Sequence, residues 1–208
     1  MDNSLQPVEL RVLGTLLEKE STTPEYYPMT LNSLVAACNQ KTNRWPVTDY
    51  NEDEVVDGIE GLKQRGYAAS ITGSGRVTKY AQRFTEKLNP GRRETAVLCV
   101  LMLRGQQTAG EIKGRTERMY GFADLDETET VINKMTEAGL VQKLPHAPGT
   151  KEPRYAHTLG GVVEVQASVQ ASGQSSGGTA DRLAALEAEV ARLREEVAGL
   201  RRQLEAVL

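Results

Sequence analysis

The first 160 residues contain an internal repeat, and it limits the fold more than any other feature. Ile59, Leu62 and Gly66 precede Lys79-Tyr80-Ala81; Ile132, Met135 and Gly139 precede Arg154-Tyr155-Ala156. Each copy has an apolar helix upstream and a glycine-containing turn between its last two strands. A duplicated unit of helices closed by a β-hairpin is the pattern of a winged-helix module. The expected fold class is therefore mainly α with small β-hairpin wings (α+β): two tandem winged-helix domains. Function in such a fold resides on surfaces.

Residues 8–20 have helical spacing, with Leu10, Leu13, Leu16 and Leu17 on one stripe. Thr23-Pro24 and Tyr27-Pro28 interrupt it. Thr30 is placed to cap a second helix carrying Leu31, Leu34 and Val35. A polar loop over 39–50 contains Trp45-Pro46. Asn51 and Glu54 have capping-box spacing at the start of a third helix with Val55, Ile59 and Leu62 buried. Gly66 follows as a left-handed C-terminal cap, then strands at about 67–72 and 76–81 around Gly73-Ser74-Gly75. After Asn89-Pro90-Gly91 the pattern restarts. A helix over 92–104 holds Val97, Leu98, Leu101 and Met102. Thr108 and Glu111, then Asp124 and Glu127, repeat the capping-box spacing. Val131, Ile132 and Met135 fill the third helix, Gly139 ends it, and strands lie near 140–144 and 154–157. The first copy is longer, chiefly through insertions at 22–28 and 41–48. The expected domains are 1–89 and 90–160.

Residues 161–180 have linker composition, with Gln-Ala-Ser and Ser-Ser-Gly-Gly runs. Over 181–208 the apolar residues Leu183, Leu186, Val190, Leu193, Val197, Leu200, Leu204 and Val207 alternate spacings of three and four. This is a four-heptad coiled coil. Valine at the central a sites with leucine at d favours a parallel pair. The charges facing across such a pair, Arg182–Glu187, Glu189–Arg194 and Glu196–Arg201, are all opposite in sign. A parallel homodimer is expected; back-folding onto the domains, antiparallel pairing and higher-order assembly are the alternatives, since no buried asparagine at a fixes the state.

The 208 residues carry a net charge of −3, close to neutral in every segment, so nucleic-acid binding must rest on a local patch. No apolar run reaches the length of a membrane span, and the N-terminus lacks a signal-peptide pattern. Cys38 and Cys99 each lie within an apolar helical stretch. Two such thiols suit a reducing cytoplasm, where the chain is expected. Membrane partners are not expected.

The loop Asn39-Gln40-Lys41-Thr42-Asn43-Arg44 follows the second helix, where a helix-turn-helix approaches DNA. Lys41 and Arg44 are candidate phosphate contacts; Asn39, Gln40 and Asn43 can reach phosphate or base edges. Alternatively the loop satisfies its own backbone, with Trp45 packed as an anchor. In the second copy Lys113, Arg115 and Arg118 form a cationic segment, and Tyr120 and Phe122 either stack on a ligand or pack internally. Wing cations Arg76, Lys79, Lys151 and Arg154 either flank a DNA backbone or are simply solvated. The third helices begin with Glu52-Asp53-Glu54 and with Asp124, Asp126, Glu127 and Glu129. These acids suit a helix N-terminus but oppose insertion into a groove. DNA contact is therefore expected from loop and wing; otherwise the acidic helices bind a basic protein.

No catalytic constellation stands out. His146 and His157 have no cysteine pair at metal spacing, no nucleophile elbow is present, and Gly73-Ser74-Gly75 lacks a following lysine. A non-enzymatic protein without cofactor or metal is expected: a DNA-binding protein in transcription regulation, or a protein-interaction adaptor that binds no DNA.

Several blocks resemble the YceH-like family of bacterial proteins. They are Leu16-Leu17-Glu18-Lys19, Thr22-Thr23-Pro24-Glu25-Tyr26-Tyr27-Pro28, Leu31-Asn32-Ser33-Leu34-Val35 and Ala37-Cys38-Asn39-Gln40-Lys41-Thr42-Asn43-Arg44. In the second copy they are Leu103-Arg104-Gly105, Thr108-Ala109-Gly110-Glu111, Arg115-Thr116-Glu117-Arg118 and Lys151-Glu152-Pro153-Arg154-Tyr155-Ala156-His157. The similarity covers about residues 5–160 and implies a tandem winged-helix fold. It implies no reaction or ligand. Trp45 departs from the acidic or small polar residue the resemblance leads one to expect before Pro46.

Overall fold

Helix boundaries follow the capping residues. The structure, a computed structural model, describes residues 4–72, 77–145 and 152–161. Helix α1 spans Pro7–Thr22, and Glu9 accepts the Gln6 backbone N–H at 2.6 Å. Thr30 caps α2, Leu31–Cys38. The capping box of α3, Glu52–Gln64, is complete: Asn51 accepts from the Glu54 N–H at 2.9 Å, and Glu54 from the Asn51 N–H at 2.8 Å. Gly66 then adopts φ +70°, a conformation that strains any residue bearing a Cβ.

A strand β1 at Met29–Thr30 pairs with β3, Lys79–Gln82, which also pairs antiparallel with β2, Ala68–Ile71. The sheet order is β1-β3-β2. Helix α4, Phe84–Leu88, follows and buries Phe84. Helices α5, α6 and α7 span Arg92–Arg104, Ala109–Thr116 and Leu125–Glu137. Gly139 has φ +71°, and β4, Val141–Lys143, pairs antiparallel with β5, Tyr155–His157. Thr108 and Glu111 complete a capping box for α6. At α7 Asp124 caps Glu127, but the Glu127 carboxylate turns instead to the Ala123 N–H and the Tyr120 hydroxyl.

Thus α1-α2-α3-β2-β3 recurs as α5-α6-α7-β4-β5. The likeness extends to a detail the sequence did not announce. Just before the second helix of each repeat, one short stretch bonds to the last strand: β1 to β3, and Gln107 to Tyr155 through both backbone groups, at 3.0 and 2.7 Å. Strand β1 and helix α4 are the additions to the expected elements. A two-residue strand has no readable periodicity, and α4 is too short to show an amphipathic stripe.

All described residues fall within one compact unit spanning 1–165. Helix α1 packs against α5 and α3. Its Val12, Leu13, Leu16 and Leu17 share a continuous core with Val97, Leu98 and Leu101 of α5 and with Val55, Ile59 and Leu62 of α3. Gly14 permits the α1–α5 approach, because a Cβ there would lie 3.0 Å from the Leu103 side chain. Both cysteines are buried, and Cys99 bonds the Gly14 carbonyl at 3.3 Å. No helix among the described residues is long and apolar enough to cross a membrane.

Candidate functional site

The loop joining α2 to α3 is built from within by two arginines. Arg11 on α1 is buried and donates to the Cys38 carbonyl at the end of α2 (2.9 Å) and to two loop groups, the Pro46 carbonyl (2.6 Å) and the Thr48 hydroxyl (3.1 Å). Burial, reinforced by nearby Arg44, lowers its pKa. Arg44, read from the sequence as a phosphate contact, is 5% exposed and grips Glu18 with both terminal nitrogens, at 3.1 and 2.6 Å. Its Nε and Nη2 also donate to the Ala37 carbonyl. Burial raises the Glu18 carboxyl, but the hydrogen bond and charge of Arg44, with Lys19, outweigh it and hold the group below its ordinary value. Asn39 is likewise spent on the loop: it donates to the Tyr50 carbonyl and accepts from Tyr50 N–H and the Thr48 hydroxyl. These two candidates are turned inward because the irregular segment between α2 and α3 must satisfy its own backbone.

What the loop presents outward is different. Lys41, Thr42, Asn43 and Trp45 are exposed, with Trp45 71% accessible, so the indole is not the packed anchor that one sequence reading allowed. Its backbone N–H alone is anchored, on the Leu103 carbonyl at 2.8 Å.

Two adjoining clefts lie between this loop and the second repeat. The first, about 390 Å³, is lined by Lys19 and Thr22 from α1, Gln40, Lys41 and Asn43 from the loop, and Arg104, Arg115 and Arg118 from the second repeat. Five cations, Lys19, Lys41, Arg104, Arg115 and Arg118, line it with one carboxylate, Glu18, which is paired with Arg44 and with Lys19 at 3.5 Å. The second cleft, about 350 Å³, shares Asn43, Arg104 and Arg115, and adds Trp45, Gln107, Glu111 and Arg154. Residues at the end of α1 and in the loop form one wall of the clefts, and residues of the second repeat form the other.

The cations are positioned by few partners. Arg104 donates to the Asn43 side chain at 2.7 Å. Burial, and after it the neighbouring Arg115, lower its pKa, while Glu18 acts the other way. Arg115 and Arg154 both approach Glu111 at 3.3 Å, and Arg154 also donates to the Gln106 carbonyl at 2.9 Å.

Of the sequence candidates, Gln40, Lys41, Asn43, Arg115, Arg118 and Arg154 converge on these clefts, and the buried Arg44 also borders the second. Lys79 is exposed on β3 and Lys113 sits on α6; neither lines them. Arg76, Lys151 and the eight heptad residues from Leu183 to Val207 lie outside the described residues. Tyr120 and Phe122 pack edge to face on each other, ring centroids 4.9 Å apart, and Arg93 lies over Tyr120. Lys19, Arg104 and Gln107 were missed. Lys19 and Arg104 stand within blocks that carry the family resemblance, but at helix ends, where no cationic run points to a site, and Gln107 sits at a bridge; the α1–α5 packing is what brings α1 and α5 together beside the loop. The acids Glu52, Asp53 and Glu54, and Asp124, Asp126 and Glu129, are exposed at their helix starts and line neither cleft.

A family model described as a protein of unknown function, DUF480, matches residues 5–150. A UPF0502 protein of Solibacter usitatus is 50% identical over 206 residues, covering 99% of this chain and all of the relative. One from Vibrio atlanticus is 44% identical with both chains fully covered. Another, from Geobacter sulfurreducens, is 46% identical, with 93% and 91% covered.

Proposed function

The chain belongs to the DUF480 family, represented by the bacterial UPF0502 proteins, and for this member we propose a non-enzymatic, DNA-binding role with the cleft between the repeats as the contact surface. The observation that carries the reading is the convergence of Lys19, Lys41, Arg104, Arg115 and Arg118 on one concave surface of a chain with net charge −3. Such a patch exchanges condensed counterions for side-chain cations, which is the sequence-independent part of DNA affinity. Each repeat is taken as a winged helix that holds its share of this surface, in line with the YceH-like resemblance. The acidic starts of α3 and α7 stay away from phosphate. Residues 181–208 pair two copies as a parallel coiled coil, giving the dimer two such surfaces on flexible tethers. The setting proposed is cytoplasmic, in transcription regulation, without cofactor.

The test is an anisotropy titration of labelled DNA, duplex and single-stranded, at several salt concentrations. Affinity is expected to fall steeply with salt. Absence of binding to either at low salt contradicts the reading. A second reading, a protein-interaction adaptor, is favoured by the exposed acids of α3. It predicts binding to basic peptides that is lost when Glu52, Asp53 and Glu54 are changed to glutamine.

A further inference from the structure

We propose that the second cleft takes an unpaired nucleobase stacked on Trp45, so that the nucleic acid this chain prefers is single-stranded or locally opened DNA. The inference rests on the DNA reading above and names the form of DNA.

Three observations carry it. Trp45 is 71% exposed at a cleft whose lining includes four arginines and one carboxylate, Glu111. An exposed indole beside cations is what a ligand with both a flat π-face and phosphates requires. Its backbone is tied to the second repeat, because its N–H bonds the Leu103 carbonyl, and its Cδ1 lies 3.4 Å from the point where Gly105, at φ +69°, would carry a Cβ. The indole is therefore presented from this tied backbone over a residue with no side chain to cover it. Lastly, Gln107 lines the same cleft, is 3% exposed, and has an unpartnered Oε1 among the described residues. Its amide cannot simply be turned over, because Nε2 donates to the Arg104 and Gln106 carbonyls at 3.0 and 2.7 Å. A buried acceptor without a donor is costly, and every nucleobase carries a donor on its pairing edge. In an intact duplex that edge is occupied and both base faces are covered, so only an unpaired base can use indole and amide together. Arg104, Arg115 and Arg154 line the same cleft and supply the cations for the flanking phosphates, which would compete with Glu111 for Arg115 and Arg154.

The chain has a single tryptophan, so its emission reports position 45 alone. The full-length protein is titrated with a (dT)12 strand, an abasic 12-mer of equal phosphate count, and a 12-base-pair duplex. Emission is expected to be quenched strongly by (dT)12 and little by the other two. By anisotropy of labelled DNA, Trp45→Ala is expected to weaken (dT)12 about tenfold, to change duplex affinity less than twofold, and to be largely rescued in Trp45→Phe. Circular dichroism verifies the fold of each variant. Equal quenching by the abasic strand, or unchanged (dT)12 affinity in Trp45→Ala, overturns the inference and leaves the DNA reading standing. Failure of strand and duplex alike to bind at low salt overturns that reading, and the inference with it.

Discussion

Lys41 and Arg44 are three residues apart and equally cationic in the sequence, yet the fold gives them opposite tasks. Lys41 is exposed at the first cleft, while Arg44 is sealed against Glu18 and the Ala37 carbonyl. No local pattern distinguishes them; the deciding partner is on α1, 26 residues earlier. Arg44→Gln is expected to cost about 3 kcal/mol in urea denaturation at pH 7, the scale of an unpaired buried charge. Lys41→Gln should stay within about 0.5 kcal/mol. The measurement belongs at neutral pH for a reason of sign. The Glu18 carboxyl is held below its ordinary value, so the pair's contribution is complete above the ordinary carboxylate range and fades as pH falls through the lowered value. Equal midpoints for Arg44→Gln and the parent would show that the pair does not hold the loop.

At the scale of elements, the sequence was most legible where a cap fixes a boundary. Asn51 with Glu54, Thr108 with Glu111, and Thr30 all start helices as their spacing predicts. Gly66 and Gly139 end α3 and α7 at φ +70° and +71°. Replacing either with valine is expected to destabilise by about 1 kcal/mol or more, because a β-branched side chain clashes in the left-handed region; unchanged thermal midpoints would contradict that role. Nothing stands within 4 Å of a Cβ at Gly139, so at that site the cost is conformational and owes nothing to crowding. Elements of two to five residues, β1 and α4, were illegible because their formation depends on partners far along the chain: β3 for the one and the core that receives Phe84 for the other.

For the whole molecule, the repeat was readable but its consequence was not. Two copies of a motif do not reveal that α1 packs on α5, and only that packing sets the loop insertion of the first repeat beside α5 and α6 of the second. The clefts are a product of this arrangement, which is why the sequence marks Arg115 and Arg118 as part of a cationic segment but offers no such signal for Arg104 and Lys19. The heptads of 181–208 belong to this scale too. Truncation after Gly178 is expected to lower the mass measured by light scattering from that of a dimer to that of the truncated monomer, and a truncated dimer would place the main interface within residues 1–178. The central claim, that the inter-repeat cleft is where DNA binds, is tested most directly by the salt dependence of anisotropy titrations. Changing Lys41, Arg115 and Arg118 to glutamine together should weaken binding to every DNA tested and lower the slope of log affinity against log salt by about one unit per lost phosphate contact, while the paired control Lys79→Gln with Lys113→Gln leaves the slope as it was. A slope that drops in the control and holds in the cleft variant would contradict the account.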